Sequence, residues 1–281
     1  MTPLYFGDSR QRLFGFLNEP RVGTEREHGV LLCPPIAQEH VRAHWAFRQV
    51  AASLARAGFH VLRFDWFGVG DSAGDLSQAT VERWRADIAT AAQELKDAAG
   101  VRKISLVGLR LGATLAALAA RDVKPSALVL WDAVLDGSTY LAELKRLEAG
   151  VLADERRFWV AWPRAVRATV GRFSSVVLQE RTPSVDELVG FAFPASLRTE
   201  IGLLRLDESI EVGRAHVLVL DSEGEPGTRR LFSQLESRGV AAQHQVTRTQ
   251  GRWTDPRQIE ELLLPGDAVQ TITQTLEAST P

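Results

Sequence analysis

The chain has 281 residues, 45% of them hydrophobic and 24% charged, with a formal net charge of −2. Such a length allows one large domain or two small ones around a sizeable core, and so even a charge balance argues against nucleic acid or an anionic membrane surface as partner. The lone cysteine, Cys33, excludes an internal disulfide; with no leader-like basic-then-apolar opening and no run of about 18 uncharged apolar residues, a cytoplasmic protein without a membrane span is expected.

Two short apolar runs in residues 4–17, around a polar turn, predict an antiparallel hairpin. Gly29 to Cys33 is an unbroken apolar run stopped by Pro34-Pro35, the pattern of a central strand buried on both faces. Trp45, Val50, Leu54 and Ala55 recur at helical spacing over 42–57, with Gly58 as the stop. The next strand, Phe59 to Phe64, enters a glycine-punctuated loop that ends near Gly74, and Val81, Trp84, Ile88, Ala91 and Leu95 form the stripe of a second helix.

The run Ile104 to Val107 then ends in Gly108-Leu109-Arg110-Leu111-Gly112, with an alanine-rich helical stretch following directly. The following strand, Ala127 to Trp131, ends at Asp132. Strands alternating with helices at this rhythm imply βαβ units and a mostly parallel sheet. From about 136 to 212 the strand signal gives way to helical segments (Tyr140 to Leu152, Phe158 to Val170, Val185 to Leu206), and the α/β rhythm resumes with His216 to Leu220, a helix near 228–238, a strand at 240–246 and a closing helix over 267–278.

Cys33-Pro34-Pro35-Ile36-Ala37-Gln38-Glu39, Arg63-Phe64-Asp65-Trp66-Phe67-Gly68-Val69-Gly70-Asp71-Ser72, the Gly108 to Ala113 turn, Leu130-Trp131-Asp132 and Gly190-Phe191-Ala192-Phe193 carry a resemblance. On them the chain resembles the α/β-hydrolase superfamily over essentially its whole length, and more narrowly the serine aminopeptidase-like branch that includes the exosortase A system-associated hydrolases. The resemblance implies a mostly parallel central sheet with helices on both faces and a helical cap inserted after the sixth strand. The division is then core over 1–135, cap over 136–212 and core again over 213–281.

It also implies a nucleophile elbow, a sharp strand-to-helix turn that holds a serine, and a triad in the chain order Ser, Asp or Glu, His. Arg110 stands at the serine position and Glu225 best matches the acid. The loop 247–255, where the histidine belongs, contains none, and His244 falls inside the preceding strand. A guanidinium stays protonated and has no acceptor, so Arg110 can be neither nucleophile nor base. A bulky residue there should also sit in a strained backbone region.

Arg110 therefore has two readings. As a recognition group, with the backbone amides of Leu111 and Ile36 or Ala37 forming an oxyanion-hole-like seat, it would hold a small anionic ligand, with Glu39 and Trp66 at the pocket. As a member of an internal ion pair it needs a carboxylate, for which Asp132 at the end of the adjacent strand is the favoured partner.

The expected function is that of a hydrolase-like protein without an intact triad, binding a small ligand, a partner protein or a second copy of itself in or near a capped pocket. The alternative is an active hydrolase or acyltransferase on ester, amide or thioester substrates. It would use Cys33 with His40 as base, the thiol acidified by Arg110, or a water activated by Asp132, Glu225 or His40. A structural accessory subunit is a third possibility that the resemblance raises. His40 and His44 have the i, i+4 spacing of a metal pair beside Glu39, but no third ligand has matching spacing, so neither metal nor cofactor is expected.

Overall fold

A computed structural model of the chain describes residues 1–161, 186–206, 210–247, 253 and 265–280, with side chains in the first segment described through Leu152. A sheet of eight strands organises it. The hairpin β1 (Thr2–Phe6) and β2 (Leu13–Asn18) pairs antiparallel and runs antiparallel to β4 (His60–Phe64). β3 (His28–Cys33), β5 (Lys103–Leu109) and β6 (Ala127–Trp131) follow beside β4 in parallel register. Two later strands complete the sheet, both parallel to β6. Calling the small hairpin strands Glu187–Leu188 and Phe191–Ala192 β7 and β8, they are β9 (His216–Asp221) and β10 (Ala242–Val246). The spatial order is β1-β2-β4-β3-β5-β6-β9-β10.

Helices cover both faces because the central strands are apolar on both. β3 and β6 are buried along their whole length. On one side pack α1 (Ala37–Arg56) and the C-terminal helix Gly266–Ser279, through residues such as Phe47, Leu54, Ile272 and Leu276. On the other lie α2 (Val81–Ala99), α3 (Leu111–Val123) and the helix Pro226–Ser237. Thr80 caps α2 by accepting from the Arg83 amide at 3.0 Å, and Gly100 ends it in the left-handed region.

Two expectations need correction. α1 starts at Ala37 rather than near 42, and its buried stripe runs through Ala43, Ala46, Phe47, Val50, Ala51 and Leu54. That phase leaves Trp45 outside the core, 48% exposed, with the Arg48 guanidinium 4.6 Å from its ring centroid.

Between β6 and β9 the chain leaves the sheet through α4 (Gly137–Ala161), the β7–β8 hairpin and α5 (Ala195–Gly202); the C-terminal helices at 226–237 and 266–279 are then α6 and α7. The helical stretch expected over Val185 to Leu206 is, from Asp186 on, a hairpin followed by a short helix. Val189 and Gly190 both adopt positive φ, and Pro194 starts α5. The expected helix from Phe158 to Val170 lies mostly outside the described residues, as do Trp159 and Trp162 as side chains.

A buried histidine makes the fold sensitive to acid. His28 is 4% exposed, its Nε2 lies 2.9 Å from Ser105 Oγ, and burial, with Lys103 and Arg26 adding, lowers its pKa to about 4. The folded state therefore binds fewer protons than the unfolded one between the ordinary histidine value and about 4. Stability is full above that window and declines as pH falls through it. The group's share is about 3 kcal/mol, from ~1.4 kcal/mol per pKa unit. Urea unfolding at stepped pH should show this slope in the wild type and a shallower one in His28→Gln; equal slopes would refute it.

Candidate functional site

The carboxyl edge of the sheet gathers three non-glycine residues with positive φ. Ala37 (φ 52) opens α1, Arg110 (φ 53) joins β5 to α3, and Asp132 (φ 45) follows β6. Arg110 has ψ −125 and is held by its own backbone, its N–H donating to Trp131 O at 3.0 Å and its carbonyl accepting from Ala113 N–H at 3.0 Å. Unusual backbone collected in this way is the mark of a functional edge. The strain expected at Arg110 is present. The amides of Ala37 and Leu111 lie in first turns of helices, where N–H groups have no intrahelical acceptor.

The cleft above this edge encloses about 300 Å³, and Arg110, Asp132, Tyr140, Glu143, Ser222 and Trp253 contribute to its walls. The guanidinium does not stand free in it. Arg110 Nε donates to Glu39 Oε1 at 2.8 Å and Nη2 to Glu143 Oε2 at 2.9 Å. The Tyr140 hydroxyl donates to the other Glu39 oxygen at 3.0 Å, and the Tyr140 ring centroid lies 5.5 Å from the guanidinium carbon. Burial alone would lower the Arg110 pKa, but Glu39, Tyr140 and Glu143 more than offset it and the net shift is upward. Arg110 is therefore a fixed cation clamped between two carboxylates, without nucleophilic capacity.

Asp132 is not its partner, which corrects the expectation from strand adjacency. The carboxylate of Asp132 is directed to β9: Oδ1 accepts from Ser222 N–H at 2.7 Å, and Oδ2 from Ser222 Oγ at 2.6 Å and Trp253 Nε1 at 2.7 Å. Burial raises its pKa, against the lowering effect of these bonds. α1 delivers the carboxylate at Arg110 instead, because Glu39 lies in its first turn with 1% exposure.

Trp253 supplies Asp132 with the ring N–H bond that a catalytic histidine gives its acid. An indole has no basic nitrogen, so the bond orients Asp132 and activates nothing.

The other expected residues are not brought into this arrangement. Cys33 is completely buried at the end of β3, and burial raises its thiol pKa rather than lowering it. His40 Nδ1 lies 3.2 Å from Pro35 O and Nε2 3.8 Å from Asp65 Oδ1. A Cys33–His40 thiolate pair is thereby overturned. Trp66 is fully buried, donating to Pro34 O at 3.1 Å and packed on Phe64 and Trp84, so it is core and not pocket wall. Ile36 is likewise fully buried and precedes α1 in extended backbone. Glu225 is exposed at the start of α6, on the cleft's rim. His244 stacks on Phe232, its Nε2 3.8 Å from Asp221 Oδ2.

Sequence reasoning missed Glu143, Tyr140, Ser222 and Trp253. Tyr140 and Glu143 stand three apart on α4 and so share a face, which is the one signal that could have paired them.

With this geometry in hand, the model of the serine aminopeptidase family matches residues 38–181, more than half of the chain. The chain belongs to the serine aminopeptidase family. Among solved structures it resembles the proline iminopeptidase of Mycobacterium smegmatis, with TM-score 0.62, 13% identity and 99% of each chain covered. It resembles a carboxyl esterase from Bacillus coagulans at TM-score 0.63 and 13% identity, covering 100% of this chain and 99% of that one. A Pyrococcus furiosus esterase is similar at TM-score 0.61 and 15% identity over 100% and 91% of the two chains. At such identities the likeness is one of fold. No curated protein matches the sequence. In this chain Arg110 stands at the turn between β5 and α3. None of its helices, among the described residues, is long and apolar enough to cross a membrane.

Proposed function

We propose that this family member does not work through a serine triad and instead binds a small polar ligand in the cleft at Arg110, beneath a cap to which α4, the β7–β8 hairpin and α5 belong. The observation that carries the reading is the clamp on Arg110, a guanidinium held by Glu39 and Glu143 at the turn between β5 and α3, where the resemblance puts the attacking serine.

The same clamp argues for the ligand's charge. Two carboxylates already neutralise Arg110, so an anion meets little positive potential there. Asp132, Asp136, Glu143, Asp221, Glu223 and Glu225 line the cleft against Arg110 and the exposed Arg146. An amine fits that balance better than the anion expected from the sequence.

The test has two arms. A fluorophosphonate probe should leave the protein unlabelled, and p-nitrophenyl acetate hydrolysis should match that of Asp132→Asn. Turnover lost in Asp132→Asn would mean a carboxylate-activated water and would overturn the non-catalytic reading. Benzylamine should raise the melting temperature of wild type at low salt and do so less in Glu223→Gln/Glu225→Gln. No shift, or an equal one, refutes the amine site.

A further inference from the structure

Among the described residues, Arg63 is a buried cation left without a carboxylate. It is 9% exposed, on the sheet face that α1 covers, and pairs across the sheet with Phe16. Its Nε is buried without a hydrogen-bond partner. Nη2 reaches the Met1 thioether sulfur at 3.3 Å, a weak acceptor, and the guanidinium carbon lies 5.3 Å from the Phe16 ring centroid. No described carboxylate comes within ion-pair distance of it. Asp65, the nearest acid in sequence, faces His40 and accepts from the Asp71 amide at 3.1 Å. Burial lowers the Arg63 pKa, Arg48 adds to this and Asp65 opposes it.

This side chain borders a cleft of about 180 Å³ between α1 and the β2–β4 strands, which shares no residue with the cleft at Arg110. Phe14, Phe16 and Phe47 make its apolar walls and His40 and His44 face it from α1, while Asp65 and Asp71 also line it, the Asp65 carboxylate turned to His40 and the Asp71 amide. A guanidinium removed from water without a counter-charge costs several kcal/mol, and a planar carboxylate that accepts from two of its N–H groups is the partner that matches its geometry. The aromatic walls favour a flat apolar body. The volume, that of about six waters in the liquid, has room for a single ring.

We propose that this cleft is a second ligand site, for a small aromatic carboxylate, with Arg63 as its anchor. Arg63 binds the carboxylate, and the phenylalanines receive the ring. The site is independent of the cleft at Arg110, where six acids face two arginines.

Benzoate is the probe, with benzamide as its uncharged counterpart and Arg63→Met as the variant. Methionine keeps the length of the stem and removes a buried charge, so the variant folds if Arg63 serves binding rather than stability; Arg63→Gln is the second choice should it not. In calorimetric titration benzoate should bind wild type, and bind at least about tenfold more weakly to the variant, the loss expected when a buried charge pair is broken. Benzamide should bind both weakly and alike. Amide shifts on benzoate addition should centre on Phe16, His44 and Phe47. Absent binding, equal affinity in the variant, or shifts centred on Trp253 would each overturn the proposal. Failure here leaves the reading of the Arg110 cleft untouched, since benzylamine and the Glu223/Glu225 variant report on that one separately.

Discussion

Replacing Arg110 by alanine should destabilise the protein by about 3–5 kcal/mol, the cost of leaving a buried ionic partner uncompensated. The partner is Glu39, 1% exposed, which would keep the Tyr140 hydroxyl and lose its cation; Glu143, more exposed, would suffer less. Arg110→Met combined with Glu39→Gln should regain most of the loss, because it removes charge from both sides and leaves a side-chain amide oxygen to accept from Tyr140. Urea unfolding of Arg110→Met, Glu39→Gln and the double variant checks this, and a coupling energy near zero would refute the clamp. Arg110→Ser should gain no esterase activity, since Trp253 rather than an imidazole meets Asp132.

Gly112→Ala should cost about 3 kcal/mol or more, at the upper end of overpacking effects. A Cβ at Gly112 would lie 2.3 Å from both Cys33 O and Pro34 O. Both are main-chain atoms at the end of β3, and the Pro34 carbonyl also accepts from Trp66 Nε1, so neither can retreat without disturbing the core. Gly100→Ala is the control. It has positive φ but nothing within 4 Å of its added Cβ, so only the backbone strain of about 1 kcal/mol applies. Similar costs for the two would mean that the close approach of α3 to β3 is not what Gly112 permits.

The sheet was legible because burial on both faces writes a continuous apolar run, as at Val30 to Cys33 and Ala127 to Trp131, and the intervening helices carry their own stripes and stops. The elbow was legible from its two glycines, and its strain from the bulk of Arg110. The excursion between β6 and β9 was less so. Local composition over 185–206 favours helix, while Val189 and Gly190 turn the chain there into a hairpin.

Side-chain identity at known spacing was enough to establish the fold's periodicity and that Arg110 itself is no nucleophile, because neither depends on what the rest of the chain brings near. Which carboxylate meets Arg110, what faces Asp132, and that Cys33 is sealed in the core emerged only once the chain was folded. Each depends on which of many acids and rings the crossing helices and loops bring within a few ångströms. Charge pairing falls off with distance in space, and the residues that satisfy Arg110 come from chain positions 71 and 33 residues away.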